Sequence, residues 1–272
     1  MSTANSVLSP EAFARTYSPQ GYADGWEQVE QYLLVAEWSE LNPEASWQMA
    51  AKTLDLPKSR VQSWYAGKKP YALKQLEVVD TRGWIDATWE TALGRAFNLL
   101  AAAILSGGSL SNDYNPRIML DDDLDAPTEK SLHRALEKLV GSSRITHADD
   151  PQRGTVLEPG ADRTLVGRSL HAIGIPPGRK TEGDLTLPPY LATAPDPIRT
   201  EFVEIYVIFR GSRRERGTVD IREERSDTYL ESLAELIESV TGGKTTVRQN
   251  GIFLRKSVID ALAGTVSWET EP

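Results

Sequence analysis

The stretch FNLLAAAILSGGSLS, residues 97–111, decides the fold because it joins a helix of small and apolar residues to a Gly-Gly-Ser turn. Gly107 and Gly108 end the helix, since glycine is a poor helix former. No side chain at this end could act in catalysis. The apolar run, 99–105, is far too short to span a bilayer. We therefore predict a helix that serves as scaffold in a globular chain.

Composition sets the class of protein. With 272 residues, of which 40% are hydrophobic and 25% charged, the chain can form a globular protein of about two domains. It has no cysteine, and His133, His147 and His171 are far apart, so we expect no disulfide, metal site or cofactor. The N-terminus lacks a basic segment followed by an apolar one, which favours a cytoplasmic, nucleoid-associated protein without a membrane partner.

Charge is unevenly distributed along the chain. The net charge of −9 opposes binding to nucleic acid as a whole, and it is also typical of proteins from a salt-rich cytoplasm. The basic residues nevertheless form two clusters: Lys52, Lys58, Arg60, Lys68, Lys69 and Lys74, and then Arg210, Arg213, Arg214 and Arg216. Two basic faces on an acidic body favour a polyanionic partner.

The first third of the chain reads as helical. Ser9-Pro10 predicts the start of a short helix, and Gly21 to Gly25 its end. A second helix is predicted over 26–41. Its inward side would consist of Val29, Tyr32, Leu33, Ala36 and Leu41.

ASWQMAAKTLDLPKSRVQSWYAGKKP, residues 45–70, predicts a helix-turn-helix. Ser46 and Pro57 start the two short helices, and Val61 and Trp64 lie one turn apart on the buried side. The polar side is suited to base edges and phosphates in a major groove: Lys58, Ser59, Arg60, Gln62 and Ser63, followed by Lys68 and Lys69. The alternative is a helical hairpin with a solvated polar face.

The remainder contains an internal duplication with a period near one hundred residues. Each half has an apolar helix ending in Gly-Ser (97–109 and 202–212), a strand (117–120 and 218–222) and an amphipathic helix (128–140 and 227–240). Short strands follow at 143–146, and at 245–248 and 252–255. Residues 175–178, Ile-Pro-Pro-Gly, predict a rigid turn. This pattern predicts an α+β fold with pseudo-twofold symmetry.

Three segments carry a resemblance to a known family: LLAAAILSGGSLS (99–111), GIPPGRKTEGDLTLPPYL (174–191) and FVEIYVIFRGSRRERGTVDI (202–221). The chain from about 97 to 263 resembles the two-motif LAGLIDADG homing endonucleases of inteins. The resemblance implies αββαββα repeats that form a DNA-binding saddle. It also implies two packed signature helices, each with an acidic residue before its glycine, which together hold divalent metals for phosphodiester cleavage.

The chain departs from that pattern at both acidic positions. Gly107 and Arg210 stand where the family has the acids, so neither can ligate a metal. Ile205 replaces the usual glycine of the second helix. Lys180 matches a lysine near the family's active centre, where it could contact phosphate or be an ordinary surface lysine. Arg210, Arg213, Arg214 and Arg216 could form a phosphate clamp or a solvated basic loop.

The sequence therefore predicts four segments: an N-terminal arm (1–25), a helix-turn-helix domain (26–83), and two LAGLIDADG-like repeats (84–191 and 192–272). The expected function is a monomeric, sequence-specific binder of double-stranded DNA without nuclease activity, such as a transcription regulator. It resembles in logic the bacterial sporulation regulators that join the same two parts in reverse order. Two alternatives stay open: an active endonuclease with relocated metal ligands, and a maturase-like binder of structured RNA.

Overall fold

The computed structural model describes residues 6–121, 124–148, 154–180, 185–214 and 217–262. These residues divide into two compact units. One unit is Leu8–Asp86; the other begins at Ala87 and includes residues 6 and 7. The amide of Val7 donates to the carbonyl of Ala87 at 2.8 Å, which attaches the short N-terminal segment to the second unit.

The first unit is all α. Its helices are α1 (Pro10–Arg15), α2 (Gly25–Leu41), α3 (Trp47–Thr53), α4 (Lys58–Tyr65) and α5 (Tyr71–Thr81). The hydroxyls of Ser9 and Ser46 and the carboxylate of Asp24 cap three of these helices by accepting backbone N–H groups. The helices predicted after Ser9, over 26–41 and on either side of residues 54–57 are confirmed. Residues 8–25, set apart in sequence as an arm, pack within this unit, where Phe13 is fully buried.

The predicted inward side of α2 is only half correct. Val29 is buried, but Leu33 is 47% exposed and Leu41 74% exposed, while Val35 lies inward. Val35 packs with Ala50, Ala51 and Val61 of α3 and α4. The buried Val29 and Val35 of α2 are therefore spaced by a multiple of three, and Leu33 and Leu41 lie on a side of the helix that faces solvent.

The second unit contains the sequence αββαββα twice. The first repeat is α6 (Ala92–Ser106), β1 (Gly108–Leu110), β2 (Pro116–Leu120), α7 (Ala126–Val140), β3 (Ser143–Thr146), β4 (Thr155–Pro159) and α8 (Arg163–Ala172). The second is α9 (Asp196–Arg210), β5 (Gly211–Arg213), β6 (Val219–Arg222), α10 (Asp227–Thr241), β7 (Thr245–Arg248), β8 (Gly251–Leu254) and α11 (Lys256–Leu262). The two antiparallel sheets have matching orders, β1-β2-β4-β3 and β5-β6-β8-β7. The predicted α+β fold with pseudo-twofold repeats is confirmed.

Several elements differ from the sequence prediction. The Gly-Ser dipeptides that were expected to end the apolar helices instead begin strands β1 and β5. Helices α5 and α11 and, in the first repeat, strand β4 were not located in the sequence, whereas α8 is the helix expected before the turn at 175–178. A 3-10 helix at Pro189–Ala192 precedes the second repeat. Among the described residues, no helix is both long and apolar enough to cross a bilayer.

Helices α6 and α9 lie side by side and run in the same direction. Near their starts, the Asn98 amide donates to the carbonyl of Ile198 at 3.0 Å and to the Glu201 carboxylate at 2.7 Å. Near their ends, the ring of Phe209 lies against Gly107. Residues 96–106 of α6 are all buried. The helix pair is thus the core of the unit, and it brings Gly107 and Arg210 to one end.

Candidate nucleic-acid interface

The end of α6 has no room for a side chain at the first of these positions. A Cβ added to Gly107 would lie 2.2 Å from Cδ1 of Phe209, far inside van der Waals contact. Phe209 comes from α9, one residue before the second position. The aromatic ring therefore occupies the space into which an acidic side chain at 107 would project.

The second position carries a cation that faces a buried carboxylate. Arg210 Nε lies 3.2 Å from Oε1 of Glu223, and Arg225 Nη2 lies 3.3 Å from the same oxygen. The Glu223 side chain is only 1% exposed, and its other oxygen accepts a hydrogen bond from the Tyr206 hydroxyl. The Tyr206 hydroxyl lies 3.1 Å from that of Tyr229. The carboxylate at this end is thus fully engaged by two guanidinium groups and a phenol.

Lys180 belongs to the same centre. Its ammonium group donates to the carbonyls of Ile104, Leu105 and Gly108, at the C-terminal end of α6 where the helix dipole is negative. Burial, together with the positive charges of Arg225 and Arg210, lowers the pKa of Lys180 to about 7. Lys180 is therefore not an ordinary surface lysine.

These residues do not fit the divalent metal that the family resemblance implies. Gly107 offers no ligand, Arg210 places a cation there, and Glu223 is already paired. In the described parts of the chain, no group of three or more histidine or acidic side chains could hold a metal ion.

The exposed face of the first sheet carries arginines held by one carboxylate. Glu158, at 3% exposure, lies on β4. Its oxygens accept from Arg117 Nε of β2 at 3.0 Å, from Arg144 Nη2 of β3 at 2.7 Å and from Arg163 Nη1 at 3.2 Å. Burial alone would raise the pKa of Glu158, but the arginines, with Arg144 foremost, leave it below its ordinary value. The guanidinium groups are thus fixed while their side chains stay between 38% and 56% exposed.

The second sheet repeats this arrangement with different residues. Asp220 on β6 accepts from Arg214 Nε at 2.8 Å and from Arg248 Nη1 of β7 at 3.4 Å. The Arg248 guanidinium also stacks over the ring of Phe253, 4.5 Å from its centroid. Both sheets therefore present arginines whose direction is set by a central acidic residue.

Most of these arginines were not predicted from the sequence to lie at a binding surface. In β2, outward Arg117 and Met119 alternate with buried Pro116, Ile118 and Leu120. That period-2 pattern is the signal that could have identified Arg117 as a surface residue. Glu158 carries no such signal, because it lies in a five-residue strand whose last four residues are all buried.

The predicted DNA-binding residues of the first unit occupy two kinds of environment. The exposed ones are Lys58, Ser59, Gln62, Lys68 and Lys69. Lys69 pairs with Glu77, whose hydrogen bond and charge raise the pKa of Lys69. Ser63 is half-buried.

Arg60 requires a correction. It was expected to lie free on the polar side of α4, but its guanidinium donates to the Gln31 side chain and, at 3.0 Å, to the carbonyl of Gly21. It also stacks on the ring of Tyr22 at 3.9 Å. The side chain of Arg60 therefore points toward the loop before α2, which contains Gly21 and Tyr22, and joins that loop to α4.

The residues of the predicted phosphate clamp are also separated into groups. Arg213 and Arg214 are exposed at the end of β5, and Arg214 pairs with Asp220. Arg210 faces Glu223 and joins Lys180 in the centre described above. Arg216 lies outside the described residues.

Comparison with known proteins adds little to this description. No family model matches the sequence, and no curated protein matches it. Among solved structures, the chain is similar to the N-terminal LAGLIDADG domain of DUF199/WhiA. That similarity has a TM-score of 0.41 and 10% sequence identity, and it covers 69% of this chain and 90% of that one.

Proposed function

We propose that the chain is a sequence-specific binder of double-stranded DNA that acts as a transcription regulator and does not cleave its target. The observation that carries this proposal is the duplicated arginine array. In each repeat, one acidic residue of a central strand holds two arginines on the exposed face of the sheet, and in the first repeat it also holds Arg163 at the start of α8.

Arginine is suited to this role for two physical reasons. Its planar guanidinium can donate two parallel hydrogen bonds to the O6 and N7 atoms of guanine, or to a phosphate group. When a carboxylate already fixes the guanidinium, less side-chain entropy is lost on binding. The arrays also concentrate positive charge on a protein whose net charge is −9.

The first unit supplies the second DNA-binding surface of this proposal. Gln62 and Ser59 are exposed on α4, and Lys58 and Lys68 flank them. A polar helix of this kind can enter the major groove, where an amide reads adenine through two hydrogen bonds. Arg60 supports that surface from behind by fastening α4 to the preceding loop.

The absence of cleavage follows from the centre at the ends of α6 and α9. A two-metal cleavage reaction needs anionic oxygen ligands at the scissile phosphate. Phe209 fills the space beside Gly107, and Arg210 with Arg225 neutralises Glu223. We therefore expect DNA to be bound at this fold and left intact.

The test is selection of bound fragments from a random duplex library, followed by affinity measurements on the selected site. The full chain should bind that site at least a hundredfold more tightly than a scrambled duplex or a folded RNA of equal length. The DNA should remain intact with Mg²⁺ or Mn²⁺. Preference for RNA would favour the maturase-like alternative, and cleavage abolished by a chelator would favour the endonuclease.

Variants locate the interface. Replacing Arg117 and Arg144 together by Ala should weaken binding to the selected site. The matched control replaces Arg134 and Lys138 on the exposed side of α7, which removes the same charge from the opposite side of the sheet. Equal losses for both pairs would show a non-specific charge effect and would contradict the proposed sheet interface.

A further inference from the structure

The centre at the ends of α6 and α9 holds more positive than negative charge. Lys180, Arg210 and Arg225 surround one carboxylate, that of Glu223. The phenols of Tyr206 and Tyr229 add no charge, because burial raises their pKa values well above neutrality. With Lys180 protonated, the described residues of the centre therefore carry three positive charges and one negative charge.

Burial of these groups makes their excess of positive charge energetically unfavourable. The Arg225 side chain is only 7% exposed, and its buried Nε has no hydrogen-bond partner among the described residues. The buried Nε of Arg210 lies near Glu223 but lacks the geometry of a hydrogen bond. Buried cationic donors that stay unpaired destabilise a fold unless a ligand pairs with them.

We propose that this centre binds a phosphate oxygen of the DNA backbone, in the place where the family resemblance implies a metal. The inference rests on the proposed function. Arg210 forms the entrance, because its side chain is 38% exposed while those of Glu223 and Arg225 are buried. A phosphate there contacts the exposed part of the Arg210 guanidinium, brings a negative charge close to the buried Arg225, and offsets the repulsion that both exert on Lys180.

Binding of the anion is coupled to a proton. In the free protein the pKa of Lys180 is about 7, and the charged groups that face it within the described parts of the chain are Arg210 of α9 and Arg225 and Glu223 after β6. The three carbonyls that it contacts are neutral. A phosphate raises that pKa, so above pH 7 the complex takes up a proton. Affinity should therefore fall as pH rises from 7 to 9, by up to tenfold per unit.

The decisive experiment measures duplex affinity against salt and pH for the full chain and three variants. Arg210→Gln should weaken binding about tenfold and reduce the slope of log K against log salt by about 0.9. Arg225→Gln should act in the same direction, and Lys180→Met should abolish the pH dependence. Arg134→Gln on α7 is the control and should leave the pH dependence unchanged.

A second measurement tests the site without DNA and separates the two sources of phosphate. Inorganic phosphate at constant ionic strength should raise the melting temperature of the wild type but not that of Arg210→Gln. If phosphate stabilises the protein while duplex affinity, salt slope and pH profile ignore Arg210, the site takes free phosphate and the backbone assignment is overturned.

The remaining outcomes are equally distinct. Duplex binding that is unaffected by Arg210→Gln and Arg225→Gln, with no stabilisation by phosphate, overturns the anion site while the proposed function stands. Failure to bind any duplex overturns the proposed function. Because Arg225 is buried, its variant could fail to fold; the half-exposed Arg210 then provides the test.

Discussion

The two repeats share one topology but treat the end of their first helix in opposite ways. Helix α6 ends at Gly107, which is covered by Phe209, and its last carbonyls accept hydrogen bonds from Lys180. Helix α9 ends at Arg210, which directs a guanidinium toward Glu223 and solvent. The backbone carbonyls at the end of α6 bind the ammonium group of Lys180, whereas the last residue of α9, Arg210, itself carries a cationic side chain.

The next strands differ in the same way. Gly108-Ser109-Leu110 in β1 corresponds to Gly211-Ser212-Arg213 in β5. Leu110 is 1% exposed, whereas Arg213 is exposed. The comparison teaches that the apolar pattern of helices and strands maintains the fold in both repeats, while the charged positions at their ends can diverge.

The largest expected effect concerns the end of α6, where Phe209 covers Gly107. Gly107→Asp should lower the free energy of unfolding by about 3 kcal/mol, since it forces Phe209 aside and places a carboxylate beside an aromatic ring. Urea denaturation measures this change. Arg210→Ala at the equivalent position should cost less than about 1 kcal/mol. Equal costs at the two positions would contradict the asymmetry, and Phe209→Ala should relieve the Gly107→Asp penalty if the ring is the cause.

The second prediction concerns the helix pair. Glu204 on α9 corresponds to Ala101 on α6, and burial, with the charge of Glu201, raises the pKa of Glu204 to about 8. Since this value lies above the ordinary one near 4.5, ionisation opposes folding, and stability is lost as pH rises between these values. Glu204→Gln should therefore gain roughly 1–3 kcal/mol relative to the wild type on going from pH 5 to pH 9.

Urea denaturation of both proteins at the two pH values checks this prediction. Titrating groups that do not interact with Glu204, such as Lys180, contribute equally to both proteins and cancel in the difference. A stability difference that does not change with pH would show that Glu204 has the same pKa in the folded and unfolded chains, and so that burial does not raise it.

The third prediction compares the two sheets. Glu158→Gln should cost about 1–2 kcal/mol, because three arginines lose a charged acceptor that is almost fully buried. Asp220→Asn should cost less than about 0.5 kcal/mol, since it holds two half-exposed arginines and is itself 14% exposed. The low pKa of Glu158 means that its contribution is present above pH 4.5 and is lost as pH falls through the folded-state pKa. Thermal unfolding at pH 7 and pH 4 measures both effects; a larger cost for Asp220→Asn would reverse the comparison.

The smallest effect is expected at the strand ends. Arg213→Ala should weaken binding to all duplexes by less than about fivefold and flatten the salt slope by up to about 0.9, as for one phosphate contact. Leu110, its counterpart, cannot make that contact. Affinity measured at four salt concentrations gives the slope. An unchanged slope in a folded variant would leave Arg213 as a solvated residue.

Much of the fold could be predicted because it follows from local patterns. Capping residues such as Ser9 and Ser46 start helices, and the apolar periodicity of residues 97–106 and 227–240 fixes the repeated core. By contrast, β4 follows residues 147–153, a polar stretch without periodicity. The strand assignment of Gly108 depends on its pairing with Ile118, which is ten residues away.

The candidate site was harder to predict because it depends on distant partners. Arg60 lies on a polar helix face by periodicity, yet Gln31 and Gly21 draw its guanidinium to α2 and the loop before it. Lys180 contacts the C-terminal end of α6, which lies more than seventy residues earlier in the chain. Glu158 and Glu223 would be exposed by residue type alone, and only the arginines around them explain their burial.

The contact between Phe209 and Gly107 has a consequence for the history open to this chain. A single substitution that introduces an acid at 107 is penalised by the ring before that acid could bind anything. Removing the ring first gives up its contact with Gly107 and confers no new ligand. Neither substitution is therefore favourable alone. The contact of one phenyl ring with Gly107 thus opposes the stepwise evolution of a metal site at this position.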